Sequence, residues 1–204
     1  SWRNEKYPSI RAIEAALGSL TLLSPDPAKR IAAADTIFKS RDAKSRAALE
    51  TAGGIAQALP TLTTLSAHSV FLAVSGDVYT DYDYAQLHGK AAELARSAQP
   101  QMFLVMVDNP DFHAQGDFAL DGERLLALND PMRSDAARAL TFGNIGLYDM
   151  REFAAIQAGE KVAMSPYYRQ AIEQGRAQGV FFDGLWENVG TPEQLSQLNR
   201  RLLG

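Results

Sequence analysis

The sequence predicts an α/β fold with a mixed, mainly parallel sheet, and three features indicate it. Short apolar runs without alternation recur along the chain, as in strands covered on both faces. Segments with helical spacing of apolar residues alternate with these runs, and that order is typical of helices packed on a largely parallel sheet. The length of 204 residues favours a single domain over 1–204 and is ample for a hydrophobic core.

The first third of the chain predicts mostly helices and loops. Apolar spacing and composition indicate a helix over 9–17, a short strand over 20–24 and surface helices within 28–48. The paired glycines of 50–54 (ETAGG) predict a loop, because glycine allows backbone angles and close approaches that other residues do not. A helical turn over Ile55–Leu59 should then end at Pro60.

The run HSVFLAVSGD (68–77) predicts a central strand, and PQMFLVMVDNP (100–110) predicts a second buried one. Further along, the pattern predicts a hairpin that turns at Asp121-Gly122 and a glycine-interrupted strand over 139–150. The remaining predicted elements are a helix over 84–97, a helix over 166–175, a strand and turn over 179–190, and a helix over 191–203 that Thr191 caps, with Pro192 at its first position.

Composition excludes several classes of protein. The net charge of −4 and the lack of a basic run argue against a nucleic-acid partner. The absence of cysteine excludes disulfides, thiolate metal ligands and Cys nucleophiles. No apolar run is long enough for a membrane span, and the polar N-terminus shows no signal-peptide pattern. A cytoplasmic protein is therefore expected, with no membrane partner and an oligomeric state that the sequence leaves open.

The stretch SGDVYTDYDY (75–84) places a carboxylate, Asp77, directly after an apolar strand. In open α/β sheets, ligands bind at the edge formed by the carboxyl ends of the strands. A carboxylate at that edge suits Mg²⁺ carried by phosphates. The structural alternative is that Gly76-Asp77 makes a turn, while Asp81 and Asp83 belong to a solvated loop or cap a helix. Spacing alone favours that alternative.

Two other stretches could contact a ligand, although each also has an ordinary structural explanation. The glycines of 50–54 could let backbone N–H groups approach a base or phosphate, or could simply form a loop before a helix. A strand that leads into a capped helix accounts for Gly190, Thr191 and Pro192 of GLWENVGTPEQL (184–195), but not for Trp186 and the polar residues beside it. The three histidines are scattered without ligand spacing and receive no role.

Taken in order, six stretches of the chain resemble the sugar-phosphate nucleotidyltransferases, and within them the N-acetylmuramate-1-phosphate uridylyltransferases of bacterial cell-wall recycling. The resemblance covers about residues 48–200, whereas 1–47 is atypical. Each stretch alone is weak evidence, but six in order at plausible spacing are strong. The six stretches are ALETAGGIAQALP (48–60), SGDVYTDYDY (75–84), VDNPDFHAQGDFAL (107–120), LTFGNIGLYDMREF (140–153), SPYYRQAIEQG (165–175) and GLWENVGTPEQL (184–195).

The resemblance implies a Rossmann-like, GT-A-like nucleotidyltransferase sandwich. It also implies a Mg²⁺-dependent enzyme that transfers a nucleotidyl group, as uridylyl from UTP, to a sugar 1-phosphate such as N-acetylmuramate 1-phosphate, with release of pyrophosphate. Asp77 matches the catalytic, metal-binding aspartate of the family, and Asn188 stands where a second metal-binding aspartate is usual. The other implied contacts are Glu50, Thr51, Ala52, Gly53 and Gly54 to the nucleotide, and Gly116, Asp117, Asn144 and Gly146 to the sugar phosphate.

The sequence departs from the family pattern in two places. Asn188 keeps an oxygen ligand but removes one negative charge, so weaker Mg²⁺ binding is expected. Residues 1–47 contain no G-x-G phosphate loop. Either the first βαβ unit is absent and 27–47 is an insertion, or the N-terminal region is truncated or rebuilt, or the sequence leaves residues out. A catalytically weak relative that binds a sugar nucleotide or sugar phosphate as a sensor is therefore a second hypothesis, and a fragment without its own function is a third.

Overall fold

The computed structural model describes residues 52–65, 69–157, 160 and 162–203. The elements predicted within 1–48 lie outside these residues, and the single-domain organisation of 1–204 stays a prediction. The helices are α1 (Ala52–Leu65), α2 (Leu87–Ala95), α3 (Ser165–Glu173) and α4 (Pro192–Leu203). The strands are β1 (Val70–Val74), β2 (Val78–Thr80), β3 (Met102–Val107), β4 (Phe118–Asp121), β5 (Arg124–Leu126), β6 (Arg138–Asp149), β7 (Ala177–Phe181) and β8 (Trp186–Asn188).

Six of these strands form one mixed sheet in the order β1-β6-β3-β7-β5-β4, and β4 also pairs with β6. The predicted α/β class and mixed sheet are confirmed. The expectation that most pairings are parallel is wrong for the described residues, where β3 and β7 run parallel and the other pairings are antiparallel. One reason is the hairpin β4–β5, whose short connection joins antiparallel neighbours. The other is the long strand β6, which pairs antiparallel with β1, β3 and β4.

Alternate residues of β3 face two different apolar layers, as the two-residue period of a strand requires. Met102, Leu104 and Met106 pack with residues of α1 and α3. Phe103 and Val105 pack with residues of α2. Every residue of β3 is buried, so the prediction of a buried strand there is confirmed. The sheet is thus covered on both faces, which makes the described part of the chain an α/β sandwich.

Several local predictions are confirmed by hydrogen bonds. The hairpin turns at Asp121 and Gly122, with Asp121 opposite Arg124 and a φ of 62° at Gly122. Thr191 caps α4 reciprocally: its hydroxyl accepts from the N–H of Gln194 at 3.2 Å, and the Gln194 side chain accepts from the N–H of Thr191 at 2.9 Å. The side chain of Asp83 caps a short 3₁₀ helix by accepting from the N–H of Ala85, as its structural interpretation predicted.

Two predictions at the start of the described region are wrong. Residues 52–54 form the first turn of α1 rather than a loop, and α1 continues through Pro60 to Leu65. Ile55 is buried in the core and Leu59 packs against it, so tertiary contacts extend the helix beyond the position where proline alone would end it.

The strand β1 is not central in the described sheet. It lies at one end of the strand order, and its Leu72 is 38% exposed. An apolar run without alternation does not distinguish a central strand from an edge strand packed on one side, which explains the error. Across the described ranges, no helix combines the length and the apolar character that crossing a bilayer requires.

Candidate nucleotide and sugar-phosphate site

The carboxyl ends of three strands meet at one edge of the main sheet. Both β1 and β3 run antiparallel to β6, and β7 runs parallel to β3, so these three strands share a direction. Asp77 follows β1 and Asp108 follows β3 at this edge. Ligands of α/β proteins bind at such edges, and this places the predicted metal-binding residue where a ligand is expected.

A two-stranded ribbon, β2 paired with β8, brings Asp77 and Asn188 together. Val78 lies opposite Asn188 in the antiparallel register. The carbonyl of Asp77 accepts a hydrogen bond from the N–H of Val189 at 2.7 Å. Asp77 and Asn188 are therefore one residue apart across the ribbon, although they are far apart in the sequence. Asp77 is half-buried, and its Oδ1 atom is shielded from solvent.

Asp81 closes the end of this ribbon. Its Oδ1 accepts from the N–H of Leu185 at 2.8 Å, and its own N–H donates to the carbonyl of Leu185 at 3.2 Å. Glu187 forms an ion pair with Arg201 of α4. The carboxylates of Asp81 and Glu187 thus hold the ribbon and α4 in place.

Asn144 occupies an irregular position in β6 beside the ribbon. The register of β3 against β6 shifts between Leu104 and Met106, and Asn144 has a φ of 57° there. Asparagine adopts this left-handed conformation more readily than most residues. The carbonyl of Asn144 accepts from the N–H of Ser75 at 3.0 Å, which ties the irregularity to the turn that carries Asp77.

Trp186 joins the ribbon to the same irregularity. Its indole Nε1 donates to the carbonyl of Gly143 at 2.9 Å. The sequence did not reveal this contact. The one indication of it was that a strand leading into a capped helix did not account for Trp186. The described structure thus brings Asp77, Asn188 and Asn144 into one region, with Trp186 as the link between β8 and β6.

Gly116 and Asp117, two residues predicted to contact the sugar phosphate, end the segment 109–117, which its own polar groups hold against β6. Gly116 is buried with a φ of 72°, and a Cβ there would lie 2.7 Å from both Asn109 Oδ1 and the carbonyl oxygen of Leu140. Asp117 Oδ2 accepts from the N–H of Phe142 at 2.8 Å, and Oδ1 lies 3.1 Å from His113 Nε2. Both oxygens of Asp117 are therefore used within the protein, which is a structural role that the sequence did not indicate.

Gly146 lies in β6 under an aromatic ring. A Cβ at this position would lie 2.7 Å from the hydroxyl of Tyr148, so glycine makes room for that ring. The Tyr148 hydroxyl is 3.1 Å from that of Tyr168, and burial raises the pKa of Tyr168 to about 12. Burial also raises the pKa of Tyr148 well above its usual value. Both hydroxyls therefore stay protonated at neutral pH, and the contact of Gly146 with a sugar stays a prediction.

The predicted nucleotide-binding segment is described only in part. Glu50 and Thr51 lie outside the described residues, and Ala52, Gly53 and Gly54 form the first turn of α1. The cations of residues 1–47 that could replace a phosphate loop also lie outside the described ranges. Arg138 is a cation at the same sheet edge: it pairs with Asp108 at 2.8 Å, and its guanidinium lies 4.1 Å from the centre of the Phe181 ring.

The carboxylate at this edge is compatible with a cation that arrives with a substrate. The described ranges contain no cluster of three or more His, Cys, Asp or Glu side chains that could hold an ion. Mg²⁺ is commonly bound by one or two protein carboxylates together with substrate phosphates and water. The half-buried carboxylate of Asp77 fits that mode of binding.

The fold is that of the nucleotidyltransferases, as comparisons with solved structures show. The inositol-1-phosphate CTP transferase from T. maritima matches with a TM-score of 0.50 and 13% identity, covering 79% of this chain and 63% of that one. HddC from Yersinia pseudotuberculosis matches with a TM-score of 0.51 and 14% identity, covering 76% of this chain and 63% of that one. At these identities the likeness concerns the fold alone.

Comparison with curated proteins finds a sequence relative. The chain is homologous to the N-acetylmuramate alpha-1-phosphate uridylyltransferase of Neisseria meningitidis serogroup B, with 36% identity over 149 residues. The match covers 73% of this chain and 60% of the relative. No protein-family model matches the chain. The predicted resemblance to sugar-phosphate nucleotidyltransferases is thus confirmed, and the chain spans less than two thirds of this relative's length.

Proposed function

We propose that this protein is a Mg²⁺-dependent sugar-1-phosphate nucleotidyltransferase that moves a uridylyl group from UTP to N-acetylmuramate 1-phosphate. The observation that supports the proposal is the pairing of β2 with β8, in which the backbone of Asp77 bonds to Val189, the residue after Asn188. The homologous uridylyltransferase supports the choice of substrates. The role belongs to recycling of cell-wall sugars in the cytoplasm, where nucleoside triphosphates are available.

In the proposed reaction, a phosphate oxygen of the sugar 1-phosphate attacks the α-phosphorus of UTP. The new P–O bond forms as the bond to the bridging oxygen of pyrophosphate breaks, and pyrophosphate leaves with that electron pair. The attacking oxygen is already anionic, so the chain needs no general base. Catalysis then depends on the positioning of the two substrates and on compensation of phosphate charge.

Each predicted site residue has a part in this proposal. Asp77 and Asn188 would hold Mg²⁺, which screens phosphate charge when bound. Residues 50–54 would contact the nucleotide, and the backbone N–H groups of the first turn of α1 have no acceptors within the helix. Asn144 would contact the sugar through its amide, and Gly116, Asp117 and Gly146 would shape the surface on which the sugar phosphate lies.

The test is the release of pyrophosphate by the purified 204-residue chain given UTP, N-acetylmuramate 1-phosphate and Mg²⁺. Other nucleoside triphosphates and sugar 1-phosphates serve as the comparison panel. We expect turnover with one pair of substrates and none without Mg²⁺. The absence of turnover from a folded sample across the panel would refute the proposal for this chain.

A second candidate function is binding of a sugar nucleotide or sugar phosphate without turnover. The observation that favours it is the single candidate carboxylate of the ribbon, since Asn188 is neutral and Glu187 is paired with Arg201. Calorimetric titration with UDP-N-acetylmuramate distinguishes the two. Heat of binding in a sample that releases no pyrophosphate would establish the binding function.

A further inference from the structure

The irregular part of β6, at Phe142–Asn144, is held by three segments that come from different parts of the chain. The N–H of Phe142 donates to Asp117 Oδ2 at 2.8 Å. The carbonyl of Gly143 accepts from Trp186 Nε1 at 2.9 Å, and the carbonyl of Asn144 accepts from the N–H of Ser75 at 3.0 Å. Three successive residues of β6 thus bind the sugar-phosphate segment, the ribbon and the turn before Asp77.

The break in the β3–β6 pairing explains the bond between the Gly143 carbonyl and Trp186, whereas the bond from Ser75 to Asn144 continues the β1–β6 ladder beyond Val74 and Ile145. Leu104 pairs with Gly146 and Met106 pairs with Phe142, so one residue of β3 spans three residues of β6. Backbone groups in such a bulge are left without regular ladder partners and need other ones. Trp186 supplies one of these partners through a directional N–H rather than through ring packing alone.

Gly143 is shaped for this contact. A Cβ at residue 143 would lie 3.1 Å from both the carbonyl oxygen of Val105 and Val107 Cγ1, and at contact distance, 3.4 Å, from Trp186 Nε1. The indole is thus confined between the bulge and the ribbon. Trp186 pairs with Thr80 in the ribbon. A shift of Trp186 would therefore also shift β2, which follows Asp77, and β8, which contains Asn188.

We propose that Trp186 is a positioning residue, which sets the location of Asp77 and Asn188 relative to Asn144 through its hydrogen bond to Gly143. The expected effect on catalysis rests on the proposed function, whereas the coupling of the ribbon to the bulge in β6 is a property of the fold. Asp117 acts on the neighbouring peptide group in the same way, so the sugar-phosphate segment and the metal-binding ribbon are both fixed to one bulge.

The test replaces Trp186 by Phe, which keeps an aromatic ring and removes the N–H donor. Amide hydrogen exchange of the full chain is measured by NMR at Val189 and Ser75, whose N–H groups bond to the carbonyls of Asp77 and Asn144. We expect exchange to rise about fivefold at both sites, the size of one lost hydrogen bond, with no change at Val105 in β3. Ser134→Ala is the matched control because it removes an exposed side-chain bond to Asp121, 2.7 Å long, in another loop.

The Mg²⁺ dependence of turnover distinguishes a positioning role from a purely structural one. With Trp186→Phe, the Mg²⁺ concentration for half-maximal pyrophosphate release should rise about tenfold, as for other residues that orient metal ligands. A purely structural role would instead lower kcat with the folded fraction and leave the Mg²⁺ dependence unchanged. Unchanged exchange at Val189, or changed exchange with unchanged Mg²⁺ dependence, would overturn the inference.

The two proposals fail in different ways. If the unmodified chain does not turn over, the proposed function has failed, and hydrogen exchange still decides whether Trp186 couples the ribbon to the bulge. If Trp186→Phe does not fold, benzothienylalanine at residue 186 replaces it, because sulfur takes the place of the indole N–H in a ring of the same shape. This replacement should then raise exchange at Val189, and protection equal to that of the unmodified chain would overturn the coupling.

Discussion

Replacement of Gly116 by Ala should destabilise the domain more than the same change at Gly122, which lies in another turn. Gly116 has a φ of 72°, and an added Cβ would lie 2.7 Å from the backbone oxygen of Leu140. A backbone carbonyl in a β-strand cannot move aside as a flexible side chain can. The segment must therefore shift away from β6, and the bond from the N–H of Asp117 to the Leu140 carbonyl, 2.8 Å long, is lost or lengthened.

The magnitude follows from two separate costs. A left-handed backbone conformation costs a non-glycine residue about 1 kcal/mol. Loss of the Asp117 N–H bond and of one Asn109 bond adds about 1 kcal/mol each. The total is about 3 kcal/mol, which corresponds to a fall in Tm of roughly 6–12 °C for a domain of this size.

Urea unfolding followed by circular dichroism measures this free energy, with Gly122→Ala as the control. Gly122 has a φ of 62°, but nothing lies within 4 Å of its added Cβ, so this variant has the conformational cost alone. The difference between the two variants, about 2 kcal/mol, is the cost of displacing the segment from β6. Equal losses of stability would refute the view that this segment is packed tightly on β6.

Three further predictions concern the site and the core. Asn188→Asp should lower the Mg²⁺ concentration for half-maximal pyrophosphate release, because a second carboxylate raises the ligand charge; an unchanged value would mean that residue 188 does not face the metal. Asn144→Gly should leave the free energy of unfolding within about 1 kcal/mol, since glycine adopts a φ of 57° freely, yet raise KM for the sugar phosphate, and an unchanged KM would remove Asn144 from the sugar contacts. Glu152→Gln should cost about 3 kcal/mol in urea unfolding, because its ion pair with Arg176 is buried, whereas Asp108→Asn in an exposed pair should cost less than about 1 kcal/mol; equal costs would contradict this reasoning.

Local chemistry explains which parts of the fold could be predicted from the sequence. The capping pair Thr191 and Gln194, the turn at Gly122 and the buried run of β3 each depend on residues close in the sequence. The extension of α1 beyond Pro60 could not be predicted in this way, because packing of Ile55 and Leu59 overrides the local tendency.

The site was predictable only in part, for a related reason. The resemblance to the nucleotidyltransferases selected Asp77, because its position after an apolar run alone favoured a simple turn. Its nearness to Asn188 depends on the pairing of strands that are distant in sequence. The internal bonds of Asp117 and the bond of Trp186 to Gly143 satisfy a bulge in β6. No local pattern indicates such a bulge, so its partners become visible only in the folded chain.

The most direct measurement compares pyrophosphate release by the unmodified chain, Asp77→Asn and Asp83→Asn, with UTP, N-acetylmuramate 1-phosphate and Mg²⁺. Asp83 is the matched control: it lies in the same acidic stretch, is exposed and caps a 3₁₀ helix, a role that asparagine also performs. We expect folded Asp77→Asn to lose at least about 100-fold in rate, because the carboxylate that would hold Mg²⁺ against the phosphates is neutralised, while Asp83→Asn keeps its rate. Equal rates for Asp77→Asn and the unmodified chain would contradict the assignment of Asp77 as the metal-binding residue of a nucleotidyltransferase.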